Sequence, residues 1–484
     1  MGTSIDILQK NLKQIESMIE RERKELQNQD IKDIIIDKKR LNEATEKIIE
    51  EIKQKYIIYT TRDDERSECW IYEEGIFKPE AKTYIKEYTR QRIKEFYTPE
   101  IINKVISKIE ADTFIEQDEF FNRQNKYPNL IPVKNGVLNI DTKELLPHKP
   151  EYCFFNKLPV NYIPGVDCPF IRLFLMDVLP DEESIRTIQE FYGSCLLKEY
   201  RYEKSLMLTG QGSNGKGKTI ELLKYLLGIE NCAEISPQSL EEDMFAMGEL
   251  VNKLANISAD INNKALENTG VFKSLTGRDL MMGARKFKTR VKFVNYAKMI
   301  FSANEVPYTK DMTDGFFRRW IIVDFPFRFL DPEDLEELPE NERINCKPKD
   351  PEIINKLITD DELTGFLNWT LEGYSRLKLT KTFSNTQTIG KVRQIWLRKA
   401  NSVMAFMMDC VEEEYDSEIT KNEFKMWYVS YCRRHKLKQL SDKMIHSVLT
   451  GNYNVSETRP FNNGEDRERC WKGIRFVNCG VEKK

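Results

Sequence analysis

The sequence predicts an α/β protein, with an α/β core set between a helical and mixed α+β N-terminal region and a mostly helical C-terminal region closed by a strand. Three observations carry this. Residues 201 to about 330 alternate short apolar runs with helical patterns, as a sheet layered with helices does. At the head of that stretch the apolar run Leu206-Met207-Leu208-Thr209 enters a Gly-rich loop, and helical spacing of apolar residues follows at once. The chain has 484 residues, which at about 150 per domain makes roughly three domains. That length supports a large buried core without disulfide or metal staples.

Charged residues make up 32% and hydrophobic residues 40%, with 26 Phe and 20 Tyr. A disordered chain is poorer in aromatics, and a membrane protein far poorer in charge. The 75 basic and 78 acidic residues give a formal net charge of -3, so any basic surface must be local. No stretch approaches the roughly 20 apolar residues that span a bilayer. Met1-Gly2-Thr3-Ser4-Ile5-Asp6 has no signal-peptide core, and Asp6 stands where a myristoylation motif wants Ser or Thr. A cytoplasmic protein without a membrane partner is expected. The 10 Cys are scattered with no CxxC pair, and the 3 His are His148, His435 and His446. The cysteines read as reduced core residues, and neither a zinc site nor a His-based triad is expected.

In chain order, residues 1–58 predict helix, because Leu8, Leu12, Ile15, Ile19 and Leu26 share one stripe and no Pro interrupts them. Residues 59–165 predict a mixed α+β domain. Tyr56-Ile57-Ile58-Tyr59 and Cys69-Trp70-Ile71-Tyr72 read as short strands, Lys82 to Phe114 as helix, and Leu130 to Ile140 as a hairpin signalled by Asn135-Gly136. Pro164, Asp167 and Pro169 mark a linker, and residues 166–200 form a compact helical lead into the core. The core is placed at 201–345, a helical connection at 346–399, and a small winged-helix-like module at 400–484. That module rests on helices that end in the strand Arg469 to Val477.

The strongest signal is Leu206-Met207-Leu208-Thr209-Gly210-Gln211-Gly212-Ser213-Asn214-Gly215-Lys216-Gly217-Lys218-Thr219. Strand, Gly-rich loop and helix in that order form a phosphate-binding loop. Glycines let backbone N–H groups point at phosphate oxygens, the helix N-terminus adds partial positive charge, and a lysine reaches the β- and γ-phosphates. Two registers fit. Gly210 to Lys216 starts directly after the strand but leaves Gly217 where a magnesium-binding hydroxyl belongs. Gly212 to Thr219 matches GxxxxGKT in full and supplies Thr219 for magnesium, but begins two residues late. The first is preferred, because strand geometry is harder to shift than one hydroxyl.

Lys253 to Asp260 then reads as a strand ending in a carboxylate able to hold magnesium and orient water. Met299 to Asn304 is a strand ending in an amide able to bond the γ-phosphate. Asp314-Gly315-Phe316-Phe317-Arg318-Arg319-Trp320 precedes the strand Ile321 to Val323, and its arginine pair is a candidate arginine finger on a neighbouring subunit. Between these strands, Arg285-Lys286-Phe287-Lys288-Thr289-Arg290-Val291-Lys292 is a local basic hairpin. Its cations suit a phosphate backbone, and Phe287 could stack on a base. A solvated edge strand is its plain alternative.

The linked set GQGSNGKG, KSLTGRD, FSANEVP and DGFFRRW resembles the superfamily 3 helicases, in particular the poxvirus-type and phage or plasmid primase-helicases. IPVKNGVLNI and LLPHKPEY resemble that family's helicase-preceding domain. The resemblance covers residues 125 to 330 and, more weakly, the C-terminal wing. It implies an AAA+-like core, ATP and Mg2+ as cofactors, a ring that is usually a hexamer, and translocation on single-stranded and forked DNA, typically 3′ to 5′. By motif, Lys216 and the loop residues Gly210, Gly212, Ser213, Asn214, Gly215, Gly217, Lys218 and Thr219 would hold ATP. Asp260 would be the magnesium-side acid, Asn304 the sensor, and Arg319 (or Arg318) the finger acting in trans. The hairpin residues Arg285, Lys286, Phe287, Lys288, Arg290 and Lys292 would face the DNA in the channel.

The sequence departs from the family at two points. Gly217 replaces the usual hydroxyl residue, and Asp260 is followed by Ile261 and Asn262 instead of a second acid. The region before residue 125 shows no paired-carboxylate polymerase motif or zinc cluster, so priming is assigned to a separate primase or polymerase. The expected function is thus the helicase part of a replication protein of a virus, plasmid or integrated element. An origin-docked ATP-binding initiator with little unwinding is the alternative. The basic hairpin and arginine pair disfavour a small-molecule phosphotransferase.

Overall fold

The computed structural model describes residues 41–62, 67–259, 261, 264–284, 290–435, 437–459 and 469–477. The stripe expected at Leu8 to Leu26 lies outside them. The chain divides into two compact units, one of residues 1–162 with 284–292, the other of residues 163–283 with 293–484. The first division lies between residues 162 and 163, just before Pro164, and none falls at 58.

In the first unit, helix α1 (Leu41–Lys55) buries Ala44, Ile48, Ile49 and Ile52. They join one core with residues of α2 (Ala81–Ile93) and α3 (Pro99–Asp112), so α1 is part of this domain. The single helix expected from Lys82 to Phe114 is two, because Pro99 has no N–H to continue a helix and pushes Thr98 into an extended conformation. The Thr98 side chain then caps α3 by accepting from Ile101 N. Strands β1 (Ile58–Thr61), β2 (Cys69–Glu73), β3 (Ile76–Lys78) and β4 (Phe114–Ile115) form a sheet in the order β3-β2-β1-β4.

The hairpin at 130–139 is present as β5 (Leu130–Val133) and β6 (Gly136–Asn139), but its turn is shifted by one residue. Val133 pairs with Gly136, which leaves Lys134-Asn135 at the tip. Gly136 sits where a Cβ would meet the Leu146 carbonyl oxygen at 2.7 Å, so this glycine serves a close approach and not the turn itself.

The second unit is built on a five-stranded parallel sheet. Its strands are β7 (Ser205–Thr209), β8 (Cys232–Ala233), β9 (Ala255–Ser258), β10 (Lys298–Ala303) and β11 (Trp320–Asp324), in the order β11-β7-β10-β9-β8. Strands β7, β9 and β10 are buried along their whole length, as a sheet covered on both faces requires. The helical lead is two helices, α4 (Pro169–Val178) and α5 (Glu182–Ser194), with α6 (Lys216–Leu227) following β7.

Helix α7 (Asp360–Thr380) packs on α5 at backbone distance. A Cβ on Gly193 would lie 2.4 Å from the Thr370 carbonyl oxygen, and one on Gly373 would lie 2.4 Å from that of Gln189. Gly373→Ala should therefore lower stability by about 2 kcal/mol or more in urea unfolding, although alanine gains up to ~1 kcal/mol in helix propensity. A variant at least as stable as the parent would show that the two helices are not held this close.

Helix α8 (Ile389–Ala400) sends Trp396 into the aromatic core around Phe316 and Trp320. The C-terminal segment runs α9 (Ser402–Cys410), β12 (Val411–Thr420), α10 (Lys421–Arg434), α11 (Asp442–Asn452), β13 (Ser456–Thr458) and β14 (Cys470–Phe476). Its antiparallel sheet has the order β12-β14-β13 and closes on a core that includes Phe406, Tyr428, Leu449 and Ile474.

Candidate functional site

The loop between β7 and α6 is shaped by close contacts that only glycine allows at two positions. Gly210 has φ +146°, and a Cβ there would lie 2.3 Å from Asn214 Nδ2 and 2.4 Å from the Phe325 carbonyl oxygen. Gly215 has φ +88°, and its Cβ would lie 2.4 Å from Val178 Cγ1. At Gly212 and Gly217 a Cβ would meet nothing within 4 Å, so packing does not demand glycine there.

Lys216 is the first residue of α6 and is only 6% exposed. Its ammonium donates to the carbonyls of Gly210 at 2.6 Å and Gln211 at 3.1 Å, to Asn214 Oδ1 at 3.2 Å and to Asn304 Oδ1 at 3.2 Å. Two residues singled out in the sequence, 88 positions apart, thus meet inside the loop. The strand order explains it: β10 lies beside β7 with Ala303 opposite Thr209, so the next residue, Asn304, falls beside the loop. Lys218 points away and pairs with Glu221 at 2.8 Å on the helix surface.

Thr219 does not present the hydroxyl that a magnesium ligand needs. It is fully buried, and its Oγ1 donates to the Gly215 carbonyl at 3.0 Å. Asp260 lies outside the described residues; β9, which leads toward it, ends at Ser258. Among the described residues no cluster of three His, Cys, Asp or Glu side chains could hold a metal ion.

The sequence reading missed the far flank of the loop. Thr209 Oγ1 donates to Asp324 Oδ1 at 2.9 Å, and Asp324 also pairs with Lys399 of α8 at 2.9 Å. The segment after Asp324 is stitched to the loop. Phe325 N donates to the Thr209 carbonyl at 2.8 Å, Asn214 Nδ2 to the Phe325 carbonyl at 3.1 Å, and Phe329 N to the Ser213 carbonyl at 2.7 Å. A signal was available: Asp324 ends an apolar strand just as Asp260 was expected to.

The arginine pair needs a correction. Arg319 is 7% exposed, and its guanidinium donates to Thr276 Oγ1 at 2.7 Å and to the Gly315 carbonyl. Burial lowers its pKa. It ties the DGFFRRW segment to KSLTGRD within one chain, so its charge is not displayed to a neighbour. Arg318 is about half exposed and pairs with Glu203 at 3.0 Å. Both precede Trp320, which aligns with Ser205 at the start of β7, whereas Asp324 aligns with Thr209 at the loop. Four strand steps of ~3.3 Å put the pair roughly 13 Å from its own loop.

In the basic hairpin, Arg285, Lys286, Phe287 and Lys288 lie outside the described residues, while Arg290 and Lys292 are exposed. Short strands Leu280–Gly283 and Val291–Val294 stand on either side of the stretch. Among the described residues no helix is long and apolar enough to cross a membrane.

Residues 13–180 match a family described as D5 N terminal like, and residues 208–319 match DUF5906, a family of unknown function. A relative in Acanthamoeba polyphaga mimivirus, named a putative helicase, is 30% identical over 47% of this chain and 26% of its own length. One in Sputnik virophage, also named a putative helicase, is 20% identical over 80% of this chain and 50% of its own length. One in African swine fever virus, named a putative primase, is 23% identical over 76% of this chain and 41% of its own length. The chain thus spans half or less of these curated relatives. The apo C-terminal region of NrS-1 superposes with a TM-score of 0.41 at 12% identity, covering 88% of this chain and 98% of that one. The chain is thus similar over residues 13–180 to D5 N terminal like proteins and, over part of their length, to viral proteins named putative helicase or primase.

Proposed function

We propose that the chain is the ATP-dependent DNA helicase part of a viral, plasmid or mobile-element replication protein, with a superfamily 3, AAA+-like core. The observation that carries this reading is Lys216, held inside the glycine loop and bonded to Asn304 at the end of the adjacent parallel strand. An ammonium, an amide and a helix N-terminus converging on one loop suit a polyphosphate chain. ATP fits this cradle. Magnesium would come with it, with Asp260 as the candidate acid, since Thr219 is unavailable and Gly217 has no side chain. The loop, Lys216 and Asn304 would bind and orient the terminal phosphates.

A ring, usually hexameric, accounts for an exposed Arg318 remote from its own loop. Helix–strand–helix–helix–strand–strand order, with the sheet order β12-β14-β13, supports reading residues 402–477 as a winged-helix module. Polarity 3′ to 5′ and a separate primase or polymerase belong to the same reading. The lack of a hydroxyl at Gly217, with Thr219 buried, favours one competitor, an ATP-binding origin-docking initiator with little unwinding.

The test is ATPase with and without single-stranded DNA, together with strand displacement on a fork. The helicase reading expects strong DNA stimulation and a displaced strand; nucleotide binding without displacement in either polarity selects the initiator. The hairpin is tested in the same assay. Replacing Lys286 and Lys288 together should flatten the slope of log affinity against log salt by roughly 1 to 1.5, at about 0.7 per phosphate contact on single strands. Basal ATPase should survive and DNA stimulation should vanish. An unchanged slope with normal unwinding would leave the hairpin a solvated edge.

A further inference from the structure

The loop fixes one end of a nucleotide, and the groups around it say where the other end goes. Strand β7 has β10 on one side and β11 on the other, with Thr209 opposite Ala303 and Asp324 respectively. Neighbouring strands lie ~4.8 Å apart, so the two flanks of the loop are separated by roughly 10 Å. Lys216 meets Asn304 on the β10 flank at 3.2 Å, and also at 3.2 Å the Oδ1 of Asn214, whose amide nitrogen is bonded to the Phe325 carbonyl. A phosphate-loop lysine meets the β- and γ-phosphates. For terminal phosphates held by Lys216 and Asn304, the β11 flank is the side left to the nucleoside.

That flank carries Phe325-Pro326-Phe327-Arg328-Phe329, bonded to the loop at both ends of the segment. Phe325 is buried in the fold, whereas Phe327 is partly exposed. The Lys347 ammonium lies 4.2 Å from the Phe327 ring centroid and donates to the Asp177 carbonyl at 2.7 Å and to its Oδ1 at 3.2 Å. Asp177 immediately precedes Val178, the residue packed under Gly215. An aromatic ring backed by a cation thus belongs to the segment whose backbone is bonded to Thr209, Ser213 and Asn214.

We infer that Phe327 is the platform on which the base of a nucleoside triphosphate stacks, with Lys347 clamped to Asp177 holding the ring in place. The inference rests on the nucleotide reading above. Stacking needs only a π-face, so this platform grips any base and adds affinity without choosing among them. It touches no terminal phosphate, so it serves di- and triphosphate alike.

The experiment compares the full chain with its variants by calorimetric binding of ATP, ADP and inorganic tripolyphosphate. Phe327→Ala should weaken ATP and ADP by about fivefold or more, the low end of one base–aromatic stack. Tripolyphosphate should bind as to the parent, and Phe327→Tyr should restore the nucleotides. Lys216→Ala should weaken all three ligands. Unaltered ATP affinity in Phe327→Ala overturns the platform, and so does a parallel loss of tripolyphosphate, which would mean that the ring only props the loop. A parent chain that binds tripolyphosphate but neither nucleotide also overturns it. A parent that binds none of the three removes the nucleotide reading itself, and is recognised by that pattern.

Discussion

Lys216→Ala is expected to lose ATP hydrolysis by at least ~100-fold, the scale of removing one preorganised donor to developing charge. Lys218→Ala should keep most of it. The contrast follows from direction. The Lys216 ammonium sits within 3.2 Å of loop and Asn304 oxygens, at the place a phosphate would take. The Lys218 ammonium is spent on a solvated pair with Glu221, a contact worth about 0–1 kcal/mol. The parent fold should persist in both variants, because the carbonyls that Lys216 leaves lie at the edge of an open loop and can turn to water. Steady-state hydrolysis and direct nucleotide binding decide the matter. Parent-like turnover in Lys216→Ala, with loss in Lys218→Ala, would move the site to the Gly212 register and would also return Thr219 to consideration.

What the sequence made legible is what neighbouring residues determine. The glycine loop is local: a strand, a turn of small residues and a helix start, each with its own pattern. The meeting of Lys216 with Asn304 is less local: parallel strands deliver their ends to one edge, but that β10 and not the next strand β8 lies beside β7 is a matter of sheet order, which the succession of apolar runs does not state. The misses share a different cause. Arg318 and Arg319 are chemically equal as letters; only the tertiary position of Thr276, 43 residues upstream, makes one buried and leaves the other displayed. The 325–329 segment alternates Phe with Pro and Arg as a short strand does, but its importance comes from backbone bonds to Thr209 and Ser213 that no side-chain pattern records. Thr219 matched a motif letter for letter, but its hydroxyl turns back to the carbonyl four residues earlier, a competition that Thr in helices often enters.

The arginine pair separates into two effects of different kind, and that separation tests assembly. Arg319→Ala should unfold more readily by about 2–4 kcal/mol, since it strips a buried hydrogen-bonding group from Thr276 and Gly315 and leaves a void. Arg318→Ala should melt like the parent, because its pair with Glu203 is solvated. Its hydrolysis should nonetheless fall on the order of 1,000-fold, the usual scale of a finger acting on a neighbour's γ-phosphate. Roughly 13 Å of strand separates Arg318 from its own loop, which puts its own γ-phosphate site out of direct reach and makes a neighbour's site the one a finger would serve. Mixing inactive Arg318→Ala subunits with inactive Lys216→Ala subunits should then restore activity. At some mixed contacts an intact loop faces an intact arginine. Recovery should rise and fall with the mixing ratio and vanish when assembly is blocked. No recovery at any ratio, with co-assembly demonstrated, would remove Arg318 from the site. A chain that stays monomeric with ATP and single-stranded DNA would remove the ring along with it.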